Sequence, residues 1–332
     1  MKKEVLILVF LVLLLVCGGC KKAREEPTAV TGITPGGAVT GTKGITMRFA
    51  KNLPPNRIYD TQPLDIVIEL NNKGAYDIAG PADCMLHLSG YDETILPGID
   101  KDQDCGFLEG VSVYNPDGGS TTKEFRTDTI YLPEGVDVYE PTFMLTACYR
   151  YRTVANPIVC VDPNYYQITP QQRACAVRDV TLTRGQGAPV SVDRVDVDMM
   201  RGKVRFKIYV SNKGGVEIKP EKKGIFRRKK IAPRKLGVVL SPDVAVSSCP
   251  IDLEYEDYNI IRYNVEMTGS YPIECEPQID GEYKLRLIDN KGVIYCVFPV
   301  SGNEAYQTPL KITLDYVYMD AISKKVEILR TP

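Results

Sequence analysis

The chain has 332 residues and carries 41 Lys and Arg against 42 Asp and Glu, a formal net charge of −1. That balance excludes a dedicated nucleic-acid binder, whose domain would be basic throughout. Tryptophan is absent and histidine occurs once, which excludes a catalytic repertoire built on histidine.

Met1-Lys2-Lys3 is a basic start, followed from Val5 to Val16 by nearly unbroken aliphatic sequence. A transmembrane helix needs about 20 apolar residues, and this run has the shorter length of a signal-peptide core. Cys17-Gly18-Gly19-Cys20 follows it. Small residues before a cysteine resemble a lipobox, with Cys17 where leucine is usual, and on that likeness Cys20 would carry a lipid. An uncleaved N-terminal anchor and simple secretion are the other outcomes. All three put the rest of the chain outside the cytoplasm, the first two tethered to the outer face of the membrane. Residues 1–20 are therefore read as the signal or anchor. Residues 21–44, rich in Thr, Gly and Pro, are read as a flexible stalk.

Beyond the stalk the period is two. Leu64, Ile66, Ile68 and Leu70 alternate with Asp65, Val67 and Glu69, and Val204, Phe206, Ile208 and Val210 alternate with Arg205, Lys207 and Tyr209. Such alternation buries one face of a strand and wets the other. Turn signals at Asn72-Lys73-Gly74, Asn212-Lys213-Gly214 and Asp289-Asn290 separate the runs. The expectation is an all-β chain of antiparallel sandwiches.

The chain repeats itself. Residues 64–78 align without gaps on 204–218, with Ile68/Ile208, Asn72/Asn212, Lys73/Lys213, Gly74/Gly214 and Ile78/Ile218 identical. Residues 139–161 align on 306–328, matching Tyr139/Tyr306, Thr146/Thr313, Tyr149/Tyr316, Tyr151/Tyr318 and Val159/Val326. This is a duplication, read as domains 45–184 and 185–332 with the boundary at Gly185-Gln186-Gly187-Ala188-Pro189. The recurring tyrosine pairs read as packing residues.

The first match is offset by 140 and the second by 167, so the second copy has 27 extra residues between them. The segment from Lys219 to Lys235 accounts for most of them. It holds Lys222, Lys223, Arg227, Arg228, Lys229, Lys230, Arg234 and Lys235, with Glu221 as its one acid. An exposed cationic loop would meet an anionic lipid headgroup, an acidic polysaccharide or a partner protein's acidic face, in a salt-dependent way. A solvated loop with no ligand is the plain alternative.

Other chemical signals are weak. His87 lies in a strand-like run with no second histidine. Asp100, Asp102 and Asp104 have the spacing that opens a calcium loop, but the glycine comes one place late and Val111 stands where the closing Glu belongs. A solvated acidic loop is the plainer reading, and no metal, cofactor or catalytic residue is assigned. The chain contains no glycosylation sequon, nucleophile elbow or phosphate loop.

Eight cysteines follow the N-terminal segment, and an even number in an exported chain reads as disulfides. Cys148 and Cys160 align on Asp315 and Glu327, so the second copy lacks both together. A hairpin turning at Val154 would set them opposite each other. Cys275–Cys296 and Cys84–Cys105 follow from proximity, which leaves Cys175–Cys249.

The strands that end in Asn-Lys-Gly resemble extracellular immunoglobulin-like modules of the cell-adhesion-related (CARDB) type. Three stretches extend the likeness to archaeal membrane-anchored surface proteins with two such domains: Cys148 to Pro163, Cys175 to Val192, and Tyr306 to Ile328. The resemblance implies fold and location and carries no activity. The function expected is a non-catalytic surface module for structure, adhesion or protein interaction. The second expectation is a lipoprotein that captures a solute or an anionic polysaccharide.

Overall fold

The computed structural model describes residues 39–167, 173–214 and 237–332. These form strands and two short 3-10 turns, and no α-helix occurs among the described residues. The first copy contributes β1 (Ile45–Phe49), β2 (Arg57–Tyr59), β3 (Leu64–Asn72), β4 (Cys84–Ser89), β5 (Asp102–Asp104), β6 (Ser120–Thr127), β7 (Val138–Tyr139), β8 (Thr142–Ala155) and β9 (Ile158–Val161). The second contributes β10 (Val180–Thr181), β11 (Val190–Met200), β12 (Lys203–Asn212), β13 (Val238–Leu240), β14 (Ile260–Met267), β15 (Glu274–Glu276), β16 (Lys284–Arg286), β17 (Lys291–Pro299), β18 (Tyr306–Lys325) and β19 (Glu327–Leu329).

Alternation in the sequence becomes alternation in burial. Along β3 every second side chain from Leu64 to Asn72 is buried. The same holds for Val204, Phe206, Ile208 and Val210 on β12. Four sheets result: β1-β3-β6, β10-β11-β12-β17-β15, β2-β19-β7, and a large sheet ordered β16-β14-β18-β8-β4-β5. The pairings are antiparallel apart from β19 with β2. The inner face of the large sheet and the buried faces of the two sheets built on β3 and β12 form one continuous apolar core.

The duplicated segments found in the sequence pair with each other. β8 and β18 run antiparallel over their shared length, with Tyr149 facing Tyr318 and Tyr151 facing Tyr316. Arg150 faces Val317, which is its own counterpart in the repeat. The pairing extends outward symmetrically, Val161 to Tyr306 and Tyr139 to Ile328. A strand that meets its own equivalent in this way has a local two-fold axis through the pair, the isologous geometry of a symmetric dimer. Here that geometry lies inside one chain.

The 185–189 segment joins the copies and is itself packed. Ala188 is fully buried. Gly187 N–H donates to Gly41 O at 2.9 Å, and Ala75 N–H to Gly187 O at 2.7 Å. Residues 39–44, the end of the predicted stalk, are thus seated against it.

β13 pairs with β18 within the large sheet, Leu240 opposite Val317, and residues 241–258 cover the centre of the sheet's outer face. Val244 and Val246 pack with Leu240, Val317 and Met319 in a second, smaller core. Arg150 donates to Pro242 O at 2.6 Å and to Val244 O at 3.3 Å.

The disulfides correct part of the sequence reading. Cys84–Cys105 and Cys275–Cys296 are present as expected. Cys148 bonds Cys249, and Cys160 bonds Cys175, in place of the expected Cys148–Cys160 and Cys175–Cys249. Val154 lies inside β8 and is no turn. The strand is interrupted at Asn156-Pro157, where proline lacks a ladder donor, and β9 then continues along β18 in the same register sum instead of folding back. Cys148 points to the outer face and meets the covering segment. The aligned acids find cations: Asp315 is paired with Arg152 and Glu327 with Arg57.

Candidate functional site

Cys20 and all eight cations from Lys222 to Lys235 lie outside the described residues. Both flanks of the basic segment are described, and one buried side chain holds them. Asn212 Oδ1 accepts from Gly214 N–H at 3.1 Å, while Asn212 Nδ2 donates to Gly237 O at 2.8 Å. Asn212 thereby ties Gly214 to Gly237.

The Asn-Lys-Gly turns that drew attention in the sequence are clips in both copies. Tyr151 Oη donates to Asn72 Oδ1 at 3.1 Å, and Tyr318 Oη to Asn212 Oδ1 at 3.3 Å. The glycine is needed because a Cβ at Gly74 would sit 1.9 Å from the Tyr151 hydroxyl, and one at Gly214 would sit 2.0 Å from that of Tyr318. The four tyrosines pack together at the joint, with Tyr149–Tyr318 and Tyr151–Tyr316 ring centroids 5.7 Å and 6.4 Å apart. Burial pushes all four phenols well above their ordinary range.

The acidic loop is engaged locally. Asp102 meets His87 Nδ1 at 2.6 Å across β4 and β5. Asp104 accepts from Gly106 N–H at 2.6 Å and from Lys123 at 3.3 Å. Burial raises the Asp104 carboxyl, yet the Gly106 bond and the Lys123 charge together hold it below the usual range. No group of three or more His, Cys, Asp or Glu with metal-holding geometry occurs among the described residues.

Polar side chains line the part of the large sheet's outer face that residues 241–258 leave open. Arg152, Asp315, Arg262 and Lys284 stand in one row across β8, β18, β14 and β16. At one end of the row Asp243 binds Arg262 and Lys284, and Lys284 also meets Glu282 at 2.8 Å. Burial raises the Asp243 carboxyl, and the hydrogen bonds from Lys284 and Arg262 outweigh it and bring it below the usual range.

Farther along the same face Lys311 approaches Glu266 at 3.2 Å, and Asn264 Nδ2 donates to Glu266 Oε1 at 2.8 Å. Lys311 and then Asn264 hold the Glu266 carboxyl below its ordinary value. This end of the face opens into a depression of about 450 Å³ lined by Asn156, Glu266, Thr268, Ser270, Tyr271 and Lys311 among others. Tyr271 is 84% exposed.

Apart from Asp315, the counterpart of Cys148 in the repeat, none of these outer-face residues stands out in the sequence. The alternation Ile261, Tyr263, Val265 buried and Arg262, Asn264, Glu266 outward is visible in the chain. Which strands lie beside β14 is not, because period two reports the face of a side chain and says nothing of its neighbour. No protein-family model and no curated protein matches this sequence.

Proposed function

We propose that this chain is an extracytoplasmic, membrane-anchored, non-catalytic surface protein whose two copies act as one platform for contact with another surface protein. The observation that carries the reading is the cysteine chemistry. Cys84, Cys105, Cys148, Cys160, Cys175, Cys249, Cys275 and Cys296 are all bonded, in four disulfides. Disulfides of this density persist in oxidising compartments and are rare in the cytosol. The apolar N-terminal run ending at Cys20 supports a lipid or an uncleaved helix as the tether.

The repeated antiparallel sheets, with a tyrosine hydroxyl tied back to each Asn-Lys-Gly turn, support an immunoglobulin-like, CARDB-type reading of the two copies. The cations from Lys222 to Lys235 would serve as the contact for anionic lipid headgroups or acidic polysaccharide.

Mass spectrometry of the mature protein from its native membrane tests the tether and the compartment together. The expected result is cleavage before a lipidated Cys20, or an intact anchor, with four disulfides. An intracellular protein with free thiols would overturn the reading. Binding to anionic vesicles tests the basic segment: it should fall with added salt and with joint neutralisation of Arg227, Arg228, Lys229 and Lys230. Unchanged vesicle binding after neutralisation removes that contact from the proposal.

A further inference from the structure

We propose that the depression beside Tyr271 is a subsite for one neutral pyranose ring of a surface saccharide. The inference rests on the reading of the chain as a surface contact module and gives that module a ligand class. Three features of the site converge on it.

The first is the exposed ring. Tyr271 sits on the β14–β15 turn, where Gly269 takes φ +74° and Ser270 N–H donates to Met267 O at 3.0 Å. The turn holds the aromatic out at the rim, and it stays 84% exposed. An aromatic with two side-chain torsions offers a rigid amphipathic surface at low entropic cost. The apolar face of a pyranose is a fitting partner.

The second is the set of polar groups within the lining. A pyranose presents hydroxyls that both donate and accept. Glu266 accepts, Lys311 donates, and Asn156, Thr268 and Ser270 do both. A ligand pocket is commonly a cleft of roughly 300–1,000 Å³ with a few placed polar groups among apolar ones. This depression, about 450 Å³, has that size, and Met267, Pro309 and the Tyr271 ring supply apolar surface beside the polar groups.

The third is charge. Glu266 and Lys311 already form a pair at 3.2 Å. Their charges cancel, so the site has no net preference for an anion, and a neutral sugar loses no ion pair on entering. The larger hollow on the outward face of β1-β3-β6, about 780 Å³, also holds an ion pair, Arg48 with Glu69, but has no aromatic ring in its lining.

The test is saturation-transfer NMR on the purified full chain. The probes are methyl glycosides of glucose, galactose, mannose and N-acetylglucosamine, with glucuronic acid as the anionic arm. Transfer to the ring protons of at least one neutral glycoside is expected. Tyr271→Ala should weaken that binding about tenfold, and Tyr271→Phe should retain it, because the ring face and not the hydroxyl carries the contact. Asn156→Ala should weaken it less. Tyr114→Ala, at a tyrosine of the other copy that is still more exposed, 97%, should leave it unchanged. Transfer to none of the four neutral probes overturns the proposal, as does binding that survives Tyr271→Ala. Stronger binding of glucuronic acid than of glucose overturns the neutral assignment. Mass spectrometry of the mature protein reads none of these outcomes, so the saccharide proposal can fail while the surface reading stands.

Discussion

At Gly74 three groups crowd the place a side chain would take: the Tyr151 hydroxyl at 1.9 Å, Gly187 O at 2.5 Å and Lys43 O at 2.5 Å. Two of them are backbone and cannot swing away. Gly74→Ala should therefore destabilise the protein by about 3 kcal/mol or more, read as a lower urea midpoint at unchanged slope. Gly135 has φ +80° and open space around it, so Gly135→Ala should cost only about 1 kcal/mol from backbone strain. The joint tyrosines make a second prediction. Burial favours the neutral phenol, so the folded pKa of Tyr149, Tyr151, Tyr316 and Tyr318 lies above the unfolded value. The stability they contribute is full below the unfolded value of about 10 and is lost as pH rises beyond it toward the folded value. In an alkaline titration these tyrosines should ionise together with unfolding. Free ionisation of every tyrosine near pH 10 in a still-folded protein would contradict this.

At the scale of elements, the segment 241–258 belongs to the second copy but covers a face shared by both. Cys148 lies on β8 and Cys249 in the covering segment, so their bond links the copies across a sequence separation of 101. Closing so long a loop constrains the unfolded chain strongly, by about 4–5 kcal/mol in the chain-entropy model and often less in practice. Removing both, Cys148→Ala with Cys249→Ala, should cost about 3 kcal/mol. The shorter Cys160–Cys175 bridge, with a separation of 15, should cost less when removed the same way. Paired urea melts under non-reducing conditions measure both, and a reversed order would show that strain or residual structure outweighs loop length.

For the whole molecule, the joint between β8 and β18 has the form of a dimer interface closed within one chain. Residues 39–184 alone would expose the long edge of β8, Thr142 to Ala155, together with the inner-face tyrosines. An unpaired strand edge of that length seeks another chain. The half-chain should therefore self-associate or stay unfolded, and sedimentation showing a folded monomer would refute this. Such a dimer would set Arg150 against its own copy at the two-fold, where the full chain has Val317. Like charges directly opposite destabilise a strand pair. The two copies have diverged at that central pair in a way that suits a single chain.

The sequence alone determined the all-β class, the buried face of β3 and β12, the Asn-Lys-Gly turns and the existence of the duplication, because each is written in local period or in self-similarity. It also sufficed for Cys84–Cys105 and Cys275–Cys296, both separated by 21 residues. Only the tertiary structure decided that the repeated segments pair with each other, that Cys148 reaches Cys249, and that Asn156, Glu266, Tyr271 and Lys311 share one depression. Alternation along a strand tells which way a side chain points. It carries no information about which strand lies alongside, and partners far apart in the chain are chosen by the folding of the whole.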